Sequence, residues 1–404
     1  MRILFAVPGY KPAYKLGGPI ESVSALAEEL SNAGHSVTVF TTNGNLDEDL
    51  DVPTNCPTMI DGVEVWYFAR KRMKTIPGIP YLTKTSGFLY APAMREELRR
   101  VLPNIDVVHT HLPFIYPTYV ASAEAVRARK PLVYHQRGVF DPARLEFRSW
   151  KKKLYINLIE KRILKSANTL VALTEAEVES YRDLGVKTPA VVIPNAVYAD
   201  RYQAPADEAL CASLGITPGD TVVLFMSRLH PIKGVEKLVE AFRRISGEFP
   251  SVKLVIAGPD EWSMLESLSR IASEEVKRNQ VLFPGMVTGD VKTSLLARAD
   301  LFALPSDAEG FSMAILEALA SATAVLISPG CHFPEVEEAG AGRIVDANVD
   351  ALVVALKQML SSPEGLVAMG RAGQDLVHRK YTWERVSARM ASLYQGIVDG
   401  ERTR

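Results

Sequence analysis

Apolar residues in this chain fall into short continuous runs separated by segments of helical spacing. Ile3–Val7 is wholly apolar, which predicts a strand covered on both faces in a parallel sheet. After a loop closed by Gly17 and Gly18, Pro19 suits a first helical position. Ala25, Leu26 and Leu30 then mark one face of a helix that stops at Gly34. Val37–Thr41 is the next strand. The alternation continues with strands at Asp106–His109, Leu132–His135, Thr169–Leu173 and Ala190–Ile193, and with helices over Pro113–Arg129, Lys151–Lys165 and Glu175–Leu184. Pro205 and the turn Thr217-Pro218-Gly219 interrupt this rhythm and mark a linker.

A second series follows. Its strands are Val222–Met226, Leu254–Ala257, Val281–Phe283, Leu301–Leu304 and Ala324–Ser328, with helices over 234–249, 264–277, 291–298 and 312–321. Helices over 350–360, 363–379 and 383–398 close the chain. The pattern predicts an α/β protein with two Rossmann-like domains in tandem, residues 1–200 and 201–379. Parallel sheets take ligands outside the carboxyl ends of their strands, so two such sheets facing across a cleft suggest a two-substrate enzyme.

Bulk properties narrow this only a little. The 404 residues exceed one ordinary core, and 47% apolar with 23% charged residues excludes a disordered chain. The net charge of -1 names no partner. Cys56, Cys211 and Cys331 are scattered, which argues against a zinc cluster or a disulfide framework and suggests a reducing, cytoplasmic setting. The opening MRILFAVPGY enters a strand directly, so no cleaved leader is expected. One local imbalance stands out. Residues 127–165 hold twelve Lys or Arg against Asp141, Glu146 and Glu160. A solvated helix face accounts for that stretch, and so does a surface for an anionic membrane or a phosphate-bearing acceptor; nucleic acid is disfavoured, since no aromatic-basic interleaving is present.

Candidate chemistry gathers at strand ends. His109 and His111 close DVVHTH and His135 closes LVYH, where sites of such sheets form. No carboxylate stands at ligand spacing from them, so no metal is expected. Asn195 in VIPNAV ends the first domain and reads as a turn cap. Arg228 and Lys233 in SRLHPIKG follow the first strand of the second domain, a planar fork and a point charge suited to a diphosphate. Glu309 precedes the helix at 312–321, whose start offers unpaired N–H groups. Glu317 lies inside that helix among Ile315, Leu316, Ala318 and Leu319, so its charge requires a partner, for which a ribose hydroxyl is a natural candidate. Gly17 and Gly18 let the backbone approach a ligand, but the loop lacks the GxGxxG pattern, which disfavours a dehydrogenase.

Taken together, these motifs resemble retaining glycosyltransferases of the GT-B fold, family 4. The resemblance runs through GHSVTVFTT, DVVHTH, VIPNAV, SRLHPIKGVEKLVEAF, GMVTGDVKTSLLARADLFALPS, EGFSMAILEALAS and YTWERVSARMASLY. It implies that Arg228 and Lys233 grip the donor diphosphate, that Glu317 binds its ribose, and that Glu309 holds sugar hydroxyls. Gly310, Phe311 and Ser312 would supply backbone N–H groups, Gly285, Met286 and Val287 would lie beside the base, and Gly17 and Gly18 would close over the donor. His135 would stand near the reacting sugar, with His109, His111 and Asn195 on the acceptor side.

The resemblance further implies a metal-independent transfer with no cofactor, and a terminal helix, 380–404, that packs back on the first domain. The donor expected is a nucleotide-sugar, with UDP favoured over GDP. The acceptor expected is a glycan or a lipid-linked saccharide, in the cytoplasm or peripherally at the inner face of the cell membrane. Alternatives of the same fold are a UDP-sugar epimerase and a non-catalytic nucleotide-sugar-binding protein. The chain departs from the family pattern at Ala322 and Ala324, where glycine and proline are usual, and at Ser312, where glycine is frequent.

Overall fold

A computed structural model of the chain describes residues 1–16, 19–71, 88–140 and 153–402. They form two compact units, 1–195 with 383–404, and 196–382.

The first unit is built on eight strands: β1 (Arg2–Ala6), β2 (Ser36–Thr42), β5 (Pro57–Ile60), β6 (Val63–Phe68), β7 (Val107–His111), β8 (Leu132–His135), β9 (Thr169–Ala172) and β10 (Ala190–Val192), in the order β10-β9-β8-β7-β1-β2-β6-β5. A small ladder, β3 (Gly44–Asn45) with β4 (Glu48–Asp49), stands apart. Arg70 ties it down, with Nε donating to Asp49 at 2.5 Å and the guanidinium reaching the Leu46 and Glu48 carbonyls. Every pair in the main sheet is parallel except β5 with β6. That hairpin was not expected from the sequence, although Asp61-Gly62 signals it. Asp61 and Gly62 have φ of 48° and 79°, the positive pair a type I′ turn demands. The terminal helix Trp383–Arg402 belongs to this unit and packs on the helix Pro19–Asn32, while Arg389 Nη2 donates to the Val192 carbonyl at 2.8 Å.

The second unit carries β11 (Thr221–Met226), β12 (Val252–Ala257), β13 (Val281–Gly285), β14 (Leu301–Leu304), β15 (Ala324–Ile327) and β16 (Gly342–Ile344), all parallel, in the order β13-β12-β11-β14-β15-β16. The β11, β12 and β14 side chains are almost all buried, which is why Val222–Met226, Leu254–Ala257 and Leu301–Leu304 within them read as unbroken apolar runs. The expected helix at 264–277 is two helices, Leu265–Ile271 and Ser273–Lys277. Ala322 sits at φ 57°, a left-handed conformation that costs a residue with a side chain about 1–2 kcal/mol. The departure from glycine at this position therefore leaves the backbone geometry in place and adds strain. Among the described residues no helix is long and apolar enough to cross a membrane.

Candidate functional site

In the second unit the strand order reverses between β11 and β14, the place where open α/β sheets bind ligands. Both strands deliver candidate residues there. Beyond β11 the chain makes a 3-10 turn, Pro231–Lys233, capped by His230, whose Nδ1 accepts from the Ile232 N–H at 3.0 Å. Lys233 is thereby turned inward. Its Nζ lies 2.5 Å from Glu309 Oε1, and each side chain is only 8% exposed.

Glu309 arrives from β14 through Pro305, Ser306, Asp307 and Ala308. This loop is laced to the turn: Ser306 Oγ donates to the Ile232 carbonyl at 3.0 Å and the Asp307 N–H donates to the same oxygen at 2.8 Å. The Glu309 N–H donates to the Gly330 carbonyl at 2.8 Å. The pair is thus fixed from both sides of the reversal. Removing one member would leave the other charge buried, a change of about 3–5 kcal/mol in comparable pairs. Among the described residues, Glu309 Oε2 has no protein partner.

Arg228 is different. Its Nη1 meets Glu261 Oε2 at 3.1 Å, but the two side chains are 56% and 48% exposed. A pair this wet contributes about 0–1 kcal/mol, so the guanidinium is readily exchanged onto an anion.

Glu317, in the helix Met313–Ala320, is buried, as the sequence pattern requires. Its partner is not what that pattern suggested. Lys292 Nζ stands 2.6 Å from Oε1 and the Tyr202 hydroxyl donates to the same oxygen at 3.0 Å. Burial alone therefore no longer argues for a ribose. Lys292 was missed because it lies in a separate helix, Gly289–Arg298, where it reads as an ordinary surface cation.

Ser312 caps the Met313 helix without a side-chain bond, and Phe311 packs at 5.1 Å from Phe333 and 5.9 Å from Tyr381. Gly310 and Val287 are half-buried, Gly285 has φ 75°, and Met286 is 69% exposed at the end of β13. Gly17 and Gly18 lie outside the described residues.

The first unit gathers its candidates at the corresponding reversal, between β1 and β7. His109, His111 and His135 are fully buried, and their rings approach to 4.0, 5.7 and 5.6 Å between centroids. The His109 Nδ1 and the Tyr394 hydroxyl, from the terminal helix, share a 2.6 Å hydrogen bond. Among the described residues, Nε2 of His109 and His111 and both nitrogens of His135 have no hydrogen-bond partner. Burial holds all three well below the usual imidazole range, and the neighbouring Arg137 charge pushes the same way.

Arg137 escaped the sequence reading because it lies within a long basic stretch. It follows β8 at φ 53°, and Leu112 and Phe114 after β7 both have φ 66°. Three non-glycine residues in this conformation at two adjacent strand ends are the strain found at functional sites. Arg137 is 7% exposed, and burial brings its pKa down to about 10. Asn195 does not cap a turn through its side chain but accepts from Arg137 Nη1 at 3.1 Å.

Beneath this cluster the Tyr134 hydroxyl donates to Glu160, which sits at the end of a π-turn, Ile156–Glu160. Burial raises the Glu160 carboxyl to about 7. Between its ordinary unfolded value and about pH 7 the folded chain holds a proton that the unfolded chain releases. The contribution to stability is complete below that window and is lost as pH rises through it. Glu160→Gln is expected to raise the melting temperature more at pH 8 than at pH 5, by the equivalent of roughly 1–3 kcal/mol. Equal shifts at the two pH values would contradict this assignment.

The family described as "Glycosyl transferases group 1" matches residues 207–376, and "Glycosyl transferase 4-like domain" matches residues 17–196. A D-inositol 3-phosphate glycosyltransferase of Segniliparus rotundus is 28% identical over 60% of this chain and 55% of its own length. A GDP-mannose-dependent alpha-(1-6)-phosphatidylinositol monomannoside mannosyltransferase of Mycolicibacterium smegmatis is 32% identical over 50% of this chain and 56% of its own. The chain thus spans little more than half the length of these relatives. The fold is similar throughout to a sucrose-phosphate synthase from Thermosynechococcus elongatus, with a TM-score of 0.73 and 20% identity over 99% of both chains. With one family matched in each half and the GT-B class of fold, the chain belongs to the group 1 glycosyl transferases.

Proposed function

We propose that the chain transfers a sugar from a nucleotide-sugar to a glycan or lipid-linked acceptor, without a metal and with retention at the anomeric carbon. The observation that carries this reading is the buried Lys233–Glu309 pair at the strand reversal, with the loosely held Arg228 near the start of the same turn. Lys233 and Arg228 take the diphosphate and stabilise the charge it gains on leaving. Glu309 keeps one oxygen for Lys233 and offers the other to sugar hydroxyls, while Glu317, held by Lys292 and Tyr202, takes the ribose. The bond from the anomeric carbon to the diphosphate breaks, and the bond to the acceptor oxygen forms on the same face. The acceptor proton passes to the departing diphosphate.

No residue described here reads the base. The GDP-mannose-dependent relative supports a guanine nucleotide, against the UDP expected from the sequence. A panel of UDP- and GDP-sugars incubated with the full chain, without acceptor, tests the proposal. Slow release of nucleoside diphosphate is expected. Interconversion of the sugar with no release would establish the epimerase instead, and binding without turnover the non-catalytic alternative.

Peripheral contact with a membrane belongs to the same reading. Leu154 and Leu158, one helical turn apart, are 53% and 52% exposed, with Lys153, Arg162 and Lys165 exposed around them. An apolar pair ringed by cations suits the anionic face of a bilayer. Co-sedimentation with vesicles rich in anionic lipid is expected, weakening in high salt and in Leu154→Ser/Leu158→Ser. Equal recovery with neutral vesicles would contradict it.

A further inference from the structure

Arg137 is a buried cation without a counter-charge in contact. Its Nε donates to His111 Nδ1 at 3.1 Å, and its Nη1 donates to Ser22 Oγ at 2.8 Å and Asn195 Oδ1 at 3.1 Å. All three acceptors are neutral. Among the described residues Nη2 has no partner, leaving two N–H groups of a fixed, planar fork unused. Burying an unpaired charge is costly, and the chain does so at a strained backbone position on the carboxyl end of a parallel strand.

The histidines beside it have ring nitrogens within 4.8 Å of one another, close enough to suggest a metal. Arg137 argues against one. His111 accepts through Nδ1, so a neutral ring carries its proton on Nε2 and has no second lone pair to give. The adjacent guanidinium also repels a cation. The buried Glu177 carboxylate offsets part of this charge from a distance but touches none of the guanidinium nitrogens, so among the described residues no anion meets Nη2. Ser22 lies in the first turn of the helix Pro19–Asn32, whose positive end adds to the same field.

We infer that Arg137 binds an oxyanion, the phosphate of a phosphorylated acceptor, through Nη2 in the first unit. The inference names the acceptor class for the transfer proposed above and rests on that reading. Sugar phosphates and lipid headgroups share this chemistry, and the test separates them. Inorganic phosphate, glucose 6-phosphate and vesicles containing phosphatidylinositol are titrated calorimetrically into the full chain. UDP and GDP are present in excess to fill any diphosphate site.

Saturable binding to the wild type is expected, at least tenfold weaker in Arg137→Gln and partly kept in Arg137→Lys. Preference for glucose 6-phosphate would identify a soluble phosphate, and preference for the vesicles a headgroup. Asn195→Asp places a carboxylate against Nη1, so phosphate binding should fall while the unfolding temperature rises, an outcome that a merely structural Arg137 would not give. No saturable binding to the wild type, or equal binding in Arg137→Gln, overturns the inference. Failure of UDP and GDP themselves to bind would instead count against the donor site of the second unit.

Discussion

Lys233→Ala is expected to lower kcat/KM for sugar transfer by roughly 10²–10³, the loss usual when one preorganised charge-stabilising group is removed. The substitution has a second consequence. It strands Glu309, buried to the same degree and left without its cation. Folding stability should fall by about 3–5 kcal/mol. The two effects are separable. In Lys233→Ala/Glu309→Gln no charge is left unpaired, so much of the stability should return while turnover stays low. Steady-state kinetics beside thermal unfolding, read as a double-mutant cycle, checks both. Full activity in Lys233→Ala would remove this lysine from the mechanism.

Gly234→Ala acts on the same pair through the backbone. Gly234 has φ +68°, and a Cβ there would stand 2.1 Å from the Pro305 carbonyl oxygen and 2.9 Å from its carbon. Those are backbone atoms at the root of the loop that carries Glu309, so they have no rotamer through which to yield. Left-handed strain of about 1–2 kcal/mol adds to overpacking of about 1–3 kcal/mol. The turn and the loop must separate, which pulls Lys233 from Glu309. We expect a melting temperature lower by several degrees together with a loss of turnover approaching that of Lys233→Ala. A variant that melts and turns over like the wild type would show that this close approach is not required.

Elements buried on both faces were legible because burial leaves no polar residue in them, as in Ile3–Val7 and Val222–Met226. The hairpin β5–β6 was not, since no residue of β5 is fully buried and Pro57–Ile60 forms no continuous apolar run. Arg228, Lys233, Glu309 and Glu317 were visible as types at strand ends and a helix start. Their partners were not. Which cation meets Glu317 depends on how the Gly289–Arg298 helix lies against the Met313–Ala320 helix, and 25 residues separate Lys292 from it in sequence. Arg137 shows the same limit in reverse. One of twelve cations in a basic stretch, it differs from the others among the described residues by being buried, which no local pattern expresses.

The most direct measurement of the central claim is release of nucleoside diphosphate from UDP- and GDP-sugars by the full chain, compared between wild type and Lys233→Ala/Glu309→Gln. The account predicts slow release by the wild type from at least one nucleotide-sugar and loss of that release in the folded double variant. Undiminished release by the double variant would contradict it.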